Sequence, residues 1–519
     1  MEIRNEINYL KNTKCQDVTA ETGAEYLLPD YNGDVRRILY TSATPRPSGS
    51  FVGDGNVEYS GIVVYDVVYL DGDGVLSSVS FTSDYDYTVR CPEGELTESY
   101  ANTRVANFAV RLLSPRKISA KASVVATPPL VTSPTHALQG SAFSDGRVPE
   151  VLTRVANLRN SRLTETVERE YAESILRLDG TIADEVSVIH ASADPVIESV
   201  SRSGEELDLT GYITVSLLVR VGDEPAYREE KRIPFEESVS LPEGCTAELI
   251  TPYLTVPSLT TTVNADDSGS EIVANLIAEA HVLCDTSLPV ELVADAYLTD
   301  FDTENSYTDL RYTELLDKRS VTETLSFDFS RDSEELAAIR EVLVTDAQPR
   351  ISSVASEDGA MVAHGDMRIT GVVSTTADGG EVSYAPLKLE CDFKLAIPIP
   401  KAASPCESVE LRLTPHLPRV TLSADRISVS APVSVDATLT ADRSLRILDS
   451  SEITSPATGL RDGATVTVYY PTDGDTLYEI ARRYRTTAAR IASANSLTVG
   501  TGALSPSDSL AGLRRIIIP

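Results

Sequence analysis

The chain has 519 residues, a length at which three or four domains are expected, and 42% of its residues are hydrophobic. Its 78 acidic and 45 basic residues give a formal net charge of −33, which argues against binding to nucleic acid or to an anionic membrane surface. No stretch approaches about 18 uncharged apolar residues, so the sequence predicts no membrane-spanning segment.

The N-terminus and the cysteines indicate a cytosolic protein. No apolar run follows the charges of MEIRNEINYLKNTK, so we expect no secretory signal peptide. The six cysteines are far apart, form no CxxC pair and do not recur at equivalent positions. We therefore expect reduced and mostly buried thiols, with neither a metal site nor a cofactor.

One stretch, residues 35–89, recurs twice more, from about residues 184 and 338. In each copy a proline follows a β-rich run, a glycine comes sixteen residues later and an aliphatic residue lies seven residues earlier. Successive prolines are 150 and 154 residues apart, so the repeat is domain-sized, unlike the unit of roughly 20–50 residues in a solenoid. The shared positions are Ile38, Pro45 and Gly61; Val188, Pro195 and Gly211; and Val342, Pro349 and Gly365.

Each copy predicts a meander of strands. A lead-in strand is expected at 18–28, 164–178 and 321–329; the second of these also has helical spacing, but homology among the copies favours strands. The lead-in strand is followed, in order, by a strand, a break at the proline, a second strand, the glycine, a third strand, a hairpin turn and a return strand. The turn of the first copy is Asp71-Gly72-Asp73-Gly74. The return strands reach an aromatic residue 24, 24 and 28 residues after the glycine, at Tyr85, Phe235 and Phe393.

We predict a mainly β protein of three β-sandwich or barrel-like repeat domains, because such strands must bury one face. The expected boundaries are 1–126, 161–305 and 318–450 for the repeats. Residues 127–160, rich in Pro, Ser, Thr and Gly, are expected to form a linker, with further connectors at 300–318 and 450–463. Residues 464–519 form the last domain.

The C-terminal residues 466–519 predict strand, helix, helix and strand, a small α+β (βααβ) unit. Asp475 or Thr476 can cap the first helix, and Leu477 lies on its apolar face. The run GDTLYEIARRY, the later Asn495 and the closing IIIP resemble the LysM domain family over about 50 residues.

In LysM domains the ligand, a chain of N-acetylglucosamine, lies between the first loop and the loop after the second helix. The resemblance therefore implies a ligand or partner site at Asp475, Thr476, Leu477, Tyr478, Asn495, Ser496 and Leu497. Two of these residues have an alternative structural role: Leu477 as a core residue and Asn495 as a partner for backbone groups at a turn.

The repeats resemble the SPOCS domain. The best-matching elements are Tyr69-Leu70-Asp71-Gly72-Asp73-Gly74 and Ile233-Pro234-Phe235. Three SPOCS-like repeats followed by LysM is an order similar to that of clostridial spore-coat morphogenetic proteins. The resemblance implies a mother-cell cytoplasmic protein at the forespore surface, in the spore coat, whose LysM domain docks on the coat basement-layer ATPase or on other coat proteins.

Two functions follow as expectations. The first is a non-enzymatic spore-envelope (coat/cortex) assembly scaffold, and the alternative is a carbohydrate-binding protein that recognises N-acetylglucosamine chains of peptidoglycan. An enzyme is disfavoured, because the five histidines stand singly and no nucleophile motif, metal spacing or phosphate loop occurs.

The C-terminal residues, here called the tail, and the rest of the chain, here called the body, carry net charges of opposite sign. Residues 464–519 hold six arginines and four acidic residues, a charge of +2, which leaves −35 for the rest of the chain. We expect Arg482, Arg485 and Arg490 to be exposed by helical phase and to meet an acidic partner surface.

Overall fold

The computed structural model describes residues 6–8, 11–13, 18–53, 56–90, 95–96, 102–127, 130–133, 135–137, 149–241, 250–357, 359–376, 381–399, 408–457, 466–497, 510 and 513–519. Strands dominate it and helices are few and short, which confirms the predicted mainly β fold. Within these residues, no helix combines the length and the apolar character that a membrane crossing requires.

In their described residues, the first repeat and its flanks contain strands and no helix. They are β1 (Glu6–Asn8), β2 (Lys11–Thr13), β3 (Val18–Leu27), β4 (Val35–Gly53), β5 (Asn56–Asp71), β6 (Leu76–Arg90), β7 (Glu95–Leu96), β8 (Asn102–Ser114), β9 (Lys117–Thr127), β10 (Leu130–Ser133) and β11 (Thr135–Ala137).

The second and third repeats use longer strands. The second has β12 (Glu150–Asp179), a 3₁₀ turn at Ala183–Glu185, β13 (Val186–Ser203), β14 (Glu206–Val221), β15 (Tyr227–Ser240), β16 (Ile250–Asp266) and β17 (Gly269–Tyr297). The third has β18 (Phe301–Ser330), α1 (Glu334–Ala337), β19 (Ile339–Glu357), β20 (Ala360–Thr376), β21 (Val382–Pro398), β22 (Ser408–Pro415), β23 (Arg419–Leu422) and β24 (Arg426–Pro456).

Every repeat consists of the same two antiparallel sheets. One sheet has the order lead-in strand, last strand, preceding strand: β3-β9-β8, β12-β17-β16 and β18-β24-β22, with β23 also on β24. The other is a meander: β4-β5-β6, β13-β14-β15 and β19-β20-β21. The two sheets bury a shared apolar core in each repeat, so each repeat is a β-sandwich. All three lead-in segments are strands, as homology among the copies predicted.

Alternating side chains explain why these segments are strands. In β24, every second residue from Ile427 to Leu439 is buried in the core, and the residues between them are only partly covered. This period of two presents one face of the strand to the opposite sheet.

The predicted break at each proline is wrong. Pro45, Pro195 and Pro349 lie inside the continuous strands β4, β13 and β19, opposite Val63, Ile213 and Met367. All three are edge strands, where half of the backbone N–H groups face away from the ladder, so a residue without an N–H is tolerated there. A register shift follows each proline within four residues.

The conserved glycine-to-aromatic interval has a structural cause. Gly61 lies directly opposite Tyr85, and Gly365 lies directly opposite Phe393. A Cβ at Gly365 would stand 2.6 Å from Phe393 Cζ, because the ring lies over the glycine. In the first and third copies the glycine and the aromatic residue therefore form a cross-strand pair with the ring over the glycine. In the second copy Gly211 also lies opposite Phe235, but an added Cβ would first meet the Val196 carbonyl oxygen.

The three repeats meet at one apolar cluster, here called the junction. The residues six positions before each proline are Leu39, Ile189 and Leu343, and those seven positions after each glycine are Val68, Leu218 and Val372; all six are buried in it. The neighbouring aliphatic positions seven before each proline pack into the core of their own repeat. Of two adjacent residues on one strand, one therefore packs into the core of its own sandwich and the next packs into the junction.

Beyond the sandwiches, the long strands continue as two-stranded ribbons. The start of β12 pairs with the end of β17, and the start of β18 pairs with the end of β24. The two ribbons pack on each other through Leu158, Leu292, Leu310 and Ile447. Residues 150–160, 301–318 and 450–456, which composition predicted as parts of connectors, lie in these ribbons.

The cysteines depart from the expectation. Cys284 is disulfide-bonded, so the interpretation that all six thiols are reduced is wrong, and Cys391 is free. Burial raises the pKa of Cys391 to about 11, so its thiol is protonated at neutral pH. The other four cysteines lie outside the described residues.

Candidate functional site

The C-terminal unit has the predicted order of elements. Strand β25 (Thr467–Tyr469) pairs antiparallel with β26 (Ile516–Ile518), and α2 (Leu477–Arg483) and α3 (Ala488–Ala494) lie between them in sequence. Each helix begins at a threonine cap: Thr476 Oγ1 accepts from the N–H of Glu479 at 3.2 Å, and Thr487 Oγ1 accepts from Arg490 at 3.1 Å.

The first predicted loop is held by Asp475. Its Oδ2 accepts hydrogen bonds from the Thr472 N–H at 2.7 Å and from the Tyr469 hydroxyl at 2.9 Å. These bonds, that of Thr472 first, hold the pKa of Asp475 below its usual range. The carboxylate therefore fixes the entry into α2, and its neighbour Thr476 remains half-buried.

Leu477 and Tyr478 are buried. Leu477 is fully buried in the domain core with Ile480, Ile491 and Ile516, which is its alternative role as a core residue. The ring of Tyr478 packs edge-on against Tyr297 of β17, with centroids 5.3 Å apart. Burial raises the pKa of the Tyr478 hydroxyl.

The second predicted loop is organised by Asn495. Its Nδ2 donates to the carbonyl of Ile517 at 2.6 Å, and its Oδ1 accepts from the Ile517 N–H at 2.6 Å. Asn495 thus takes the role of a backbone partner, as the alternative interpretation had it. Ser496 is exposed at φ +54°, and half-buried Leu497 packs on the same core as Leu477, which brings the two predicted loops together.

Residues 472–510 match the LysM domain family. No curated protein and no solved structure matches the chain. The βααβ order of this unit fits a LysM domain. Carbohydrate binding is the activity expected of that family, and the expectation applies to this part of the chain. The match covers none of the three repeats.

The LysM domain is docked on the ribbons of its own chain. The Tyr297 hydroxyl donates to the carbonyl of Thr486 at 2.8 Å, Arg482 pairs with Asp295, and Arg485 pairs with Asp302. The pKa of Asp302 is lowered, first by its hydrogen bond from Arg485. The acidic surface expected to meet these two arginines therefore belongs to the body of the same chain. Arg482 and Arg490 are exposed, as expected, whereas Arg485 is half-buried and lies beyond the end of α2, so the expectation from helical phase is wrong for it.

Sequence reasoning missed this interface, because Asp295 and Asp302 precede their paired arginines by 187 and 183 residues. Asp295 is held in place by the Tyr307 hydroxyl at 2.8 Å and by Asn305 Nδ2 at 2.9 Å. The only available signal was charge: a basic tail on a strongly acidic body. The docked face removes Tyr478 from any site open to solvent, while Thr476, Ser496 and Leu497 stay at the surface.

One histidine, which looks solitary in sequence, has two polar partners. His416 Nδ1 lies 2.8 Å from Asp194 Oδ1, and His416 Nε2 lies 2.7 Å from Ser434 Oγ. The order Asp–His–Ser is that of a hydrolase triad, but His416 is buried where the second and third repeats meet. Neither of the two described clefts is lined by Ser434. The arrangement therefore joins two repeats.

The larger of those clefts, about 520 Å³, lies at an open edge of the third sandwich. Val321, Leu395, Ile397 and Val435 give it apolar walls, and Lys318 lies at its rim. The Lys318 ammonium is 2.5 Å from buried Asp285 of the second repeat, so this cation is already committed to an ion pair. In the part of the chain that the structure describes, no three His, Cys, Asp or Glu side chains are grouped as metal ligands would be.

Proposed function

We propose that the protein is a non-enzymatic assembly scaffold of the spore envelope, acting in the mother-cell cytoplasm at the forespore surface. In this proposal the LysM domain holds a coat morphogenetic protein, the basement-layer ATPase, and the acidic repeats present surfaces to further coat proteins. The resemblance of the repeats to SPOCS domains and their order before a LysM domain support it. No cofactor is required.

One observation carries the scaffold proposal: the LysM domain is joined to the body by a packed interface. Tyr297 and Tyr478 bury each other, and two ion pairs flank them. A head held in one orientation transmits a fixed geometry from its partner to the repeats, which is what an assembly scaffold needs. A freely tethered LysM domain would only concentrate the body near the ligand.

A second candidate function is binding of peptidoglycan glycan, and the LysM match favours it. The surface at Thr476, Ser496 and Leu497 is not used for docking on the ribbons. Backbone groups of these loops would then contact N-acetylglucosamine, and the protein would bind the cell wall or the cortex.

Paired binding assays with the full chain distinguish the two functions. One assay measures co-sedimentation with purified peptidoglycan, with and without the hexamer of N-acetylglucosamine as competitor. The other measures capture by the purified basement-layer ATPase of a spore-forming clostridium. The scaffold proposal expects capture by the ATPase without sedimentation on peptidoglycan.

The opposite pattern, sedimentation that the hexamer reverses with no capture by the ATPase, would replace the scaffold with the glycan-binding function. Binding in neither assay would overturn both. The full chain is needed because the LysM domain shares buried surface with the ribbons.

A further inference from the structure

The LysM sheet has a bare apolar face. Val468 of β25 and the two residues that flank this strand, Val466 and Tyr470, alternate along the chain and have 49%, 56% and 67% of their surfaces exposed. Ile517 of β26 lies directly opposite Val468 and is 38% exposed. The four side chains are contiguous by the two-residue period and the cross-strand pairing; we call them the LysM strip.

The strip is separate from the core of the LysM domain and from the face that docks on the ribbons. The other side of the same sheet, with Tyr469, Ile516 and Ile518, packs on the helices. Docking on the ribbons uses α2 and the turn after it, through Tyr478 and Arg485. The strip therefore remains free when the LysM domain is docked.

Backbone geometry leaves one edge of this sheet open. The N–H and C=O of Ile517 are taken by the side chain of Asn495, so they point away from β25. In an antiparallel ladder the residue opposite then also points its N–H and C=O outward. Val468 thus offers both groups at the outer edge of β25, and no other described strand pairs with β25. The outer edge of β26 differs, because there the side chain of Asn495 already binds the backbone groups of Ile517.

Charge indicates what kind of segment fits. Arg514 and Arg515 are exposed just before β26, and Arg515 shares the outward phase of Ile517. This positive rim lies on a chain whose net charge is −33. An edge strand with an apolar face and a basic rim matches an extended segment with alternating apolar residues and flanking carboxylates.

We propose that the LysM strip and the open edge of β25 bind an extended, acidic segment of a partner protein by strand addition. The segment pairs with Val468 through the backbone at the edge away from β26 and packs apolar side chains on Val466 and Tyr470. Its acidic side chains extend across β25 towards Arg515. This inference rests on the proposed function, since it names the surface by which the LysM domain holds its protein partner.

The test uses random twelve-residue peptides displayed on phage and selects those that bind the immobilised full chain. We expect enriched peptides with Asp or Glu beside alternating Val, Ile or Tyr. Their affinity for Val468→Asp should fall at least tenfold, a loss of about 1.4 kcal/mol or more. The matched control is Val200→Asp, a change at a valine that is 46% exposed on β13 of the second repeat; it should bind as the wild type does.

Two further variants keep the test decisive. Tyr470→Ser removes an exposed ring and should also weaken binding, whether or not Val468→Asp folds normally by circular dichroism. Changing Arg514 and Arg515 together to Ser should weaken binding roughly fivefold at low salt and much less at high salt, because salt screens exposed charges.

Three outcomes would overturn the proposal: no enriched acidic pattern, equal binding to Tyr470→Ser and wild type, or a wild-type dimer that Val468→Asp dissociates without peptide. The last would assign the strip to a second copy of the chain. If the ATPase still captures the Tyr470→Ser variant, this surface is wrong but the proposed function is not contradicted. If the chain binds the peptides but the ATPase does not capture it, the proposed function is wrong but this surface is not contradicted.

Discussion

At the scale of single residues, one glycine of the first repeat and one of the third show how a sequence pattern becomes a steric requirement. Gly61 and Gly365 lie under aromatic rings of the return strands. An added methyl group would force the ring and the edge strand apart, since cores are close-packed. The residue type is therefore set by contacts across the two ladders, namely the aromatic ring on one side and a backbone carbonyl oxygen of the edge strand on the other, and not by a turn.

Gly365→Ala should lower the free energy of unfolding by about 1–3 kcal/mol, the usual cost of overpacking. The Cβ would meet Phe393 Cζ at 2.6 Å. Urea titration followed by circular dichroism measures the change. Gly72→Ala, at a hairpin turn with open space around it, is the control and should shift stability by about 0.5 kcal/mol at most. Equal losses of stability in the two variants would show that the Phe393 ring moves aside with no loss of folding free energy.

His281 makes stability depend on pH. Burial, and then the charge of Arg412, lower its pKa to about 4, so the ring is neutral in the fold at neutral pH. Its nitrogens contact Thr166 Oγ1 at 3.0 Å and Thr255 Oγ1 at 3.1 Å. Its Nε2 also lies 3.1 Å from Glu279 Oε2, a carboxylate that favours the protonated ring and so acts against burial. In the unfolded chain the ring gains a proton below about pH 6.5. The folded state is therefore favoured above that pH and loses this advantage as the pH falls towards 4.

Between pH 7 and pH 5 the wild type should lose about 2 kcal/mol more stability than His281→Gln, which cannot gain the proton. Urea titrations of both proteins at the two pH values measure this difference. Identical pH dependence would mean that the folded state accepts the proton as easily as the unfolded chain.

At the scale of elements, the LysM domain and the ribbons form one interface. Arg482 and Arg485 project from the end of α2 and the turn after it, towards acids at the end of β17 and the start of β18. The Tyr297–Tyr478 contact supplies the apolar part. Because partly exposed ion pairs are weak, apolar contact should dominate the docking energy and charge its orientation.

Arg482→Glu should loosen the docked domain by placing a second carboxylate beside Asp295. The expected loss is about 1 kcal/mol, or a roughly fivefold rise in local opening. Amide hydrogen exchange over residues 477–488 reports it. Arg490→Glu, an exposed change on α3 of the same domain, should leave the exchange unaltered; similar acceleration in both variants would point to a global charge effect instead.

At the scale of the whole molecule, three sandwiches share the junction. Equivalent positions from the three copies are buried together there, which a chain of independent domains would not do. Asp194–His416 and Asp285–Lys318 add polar contacts between the second and third repeats. The repeats therefore form a single body, with Leu218 buried in the junction.

Leu218→Asp should separate the repeats without unfolding each sandwich. The cation directly opposite it, Arg228 of β15, already binds Ser216 and Glu230. A carboxylate buried in the junction therefore costs several kcal/mol, of the order of 3 or more. Small-angle scattering should show a larger radius of gyration while circular dichroism keeps its β signal. Val382→Asp, at an exposed valine of β21, should leave both unchanged; an unchanged radius in Leu218→Asp would show that the junction is not what holds the repeats together.

The sequence alone was enough for the β class, the three copies, the strand identity of the lead-in segments and the LysM order. These features depend on local period, on turn residues and on self-similarity, which need no knowledge of distant contacts. Even the core role of Leu477 and the backbone role of Asn495 could be named as alternatives, since both follow from local phase.

Tertiary structure decided the rest. Whether a proline interrupts a strand depends on whether that strand is an edge, and a connector becomes a ribbon only because another ribbon covers Leu158 and Leu310. The acidic partner of Arg482 and Arg485 was the chain's own body, nearly 200 residues away in sequence. Such contacts arise from burial between distant segments, and no local pattern encodes which distant surfaces meet.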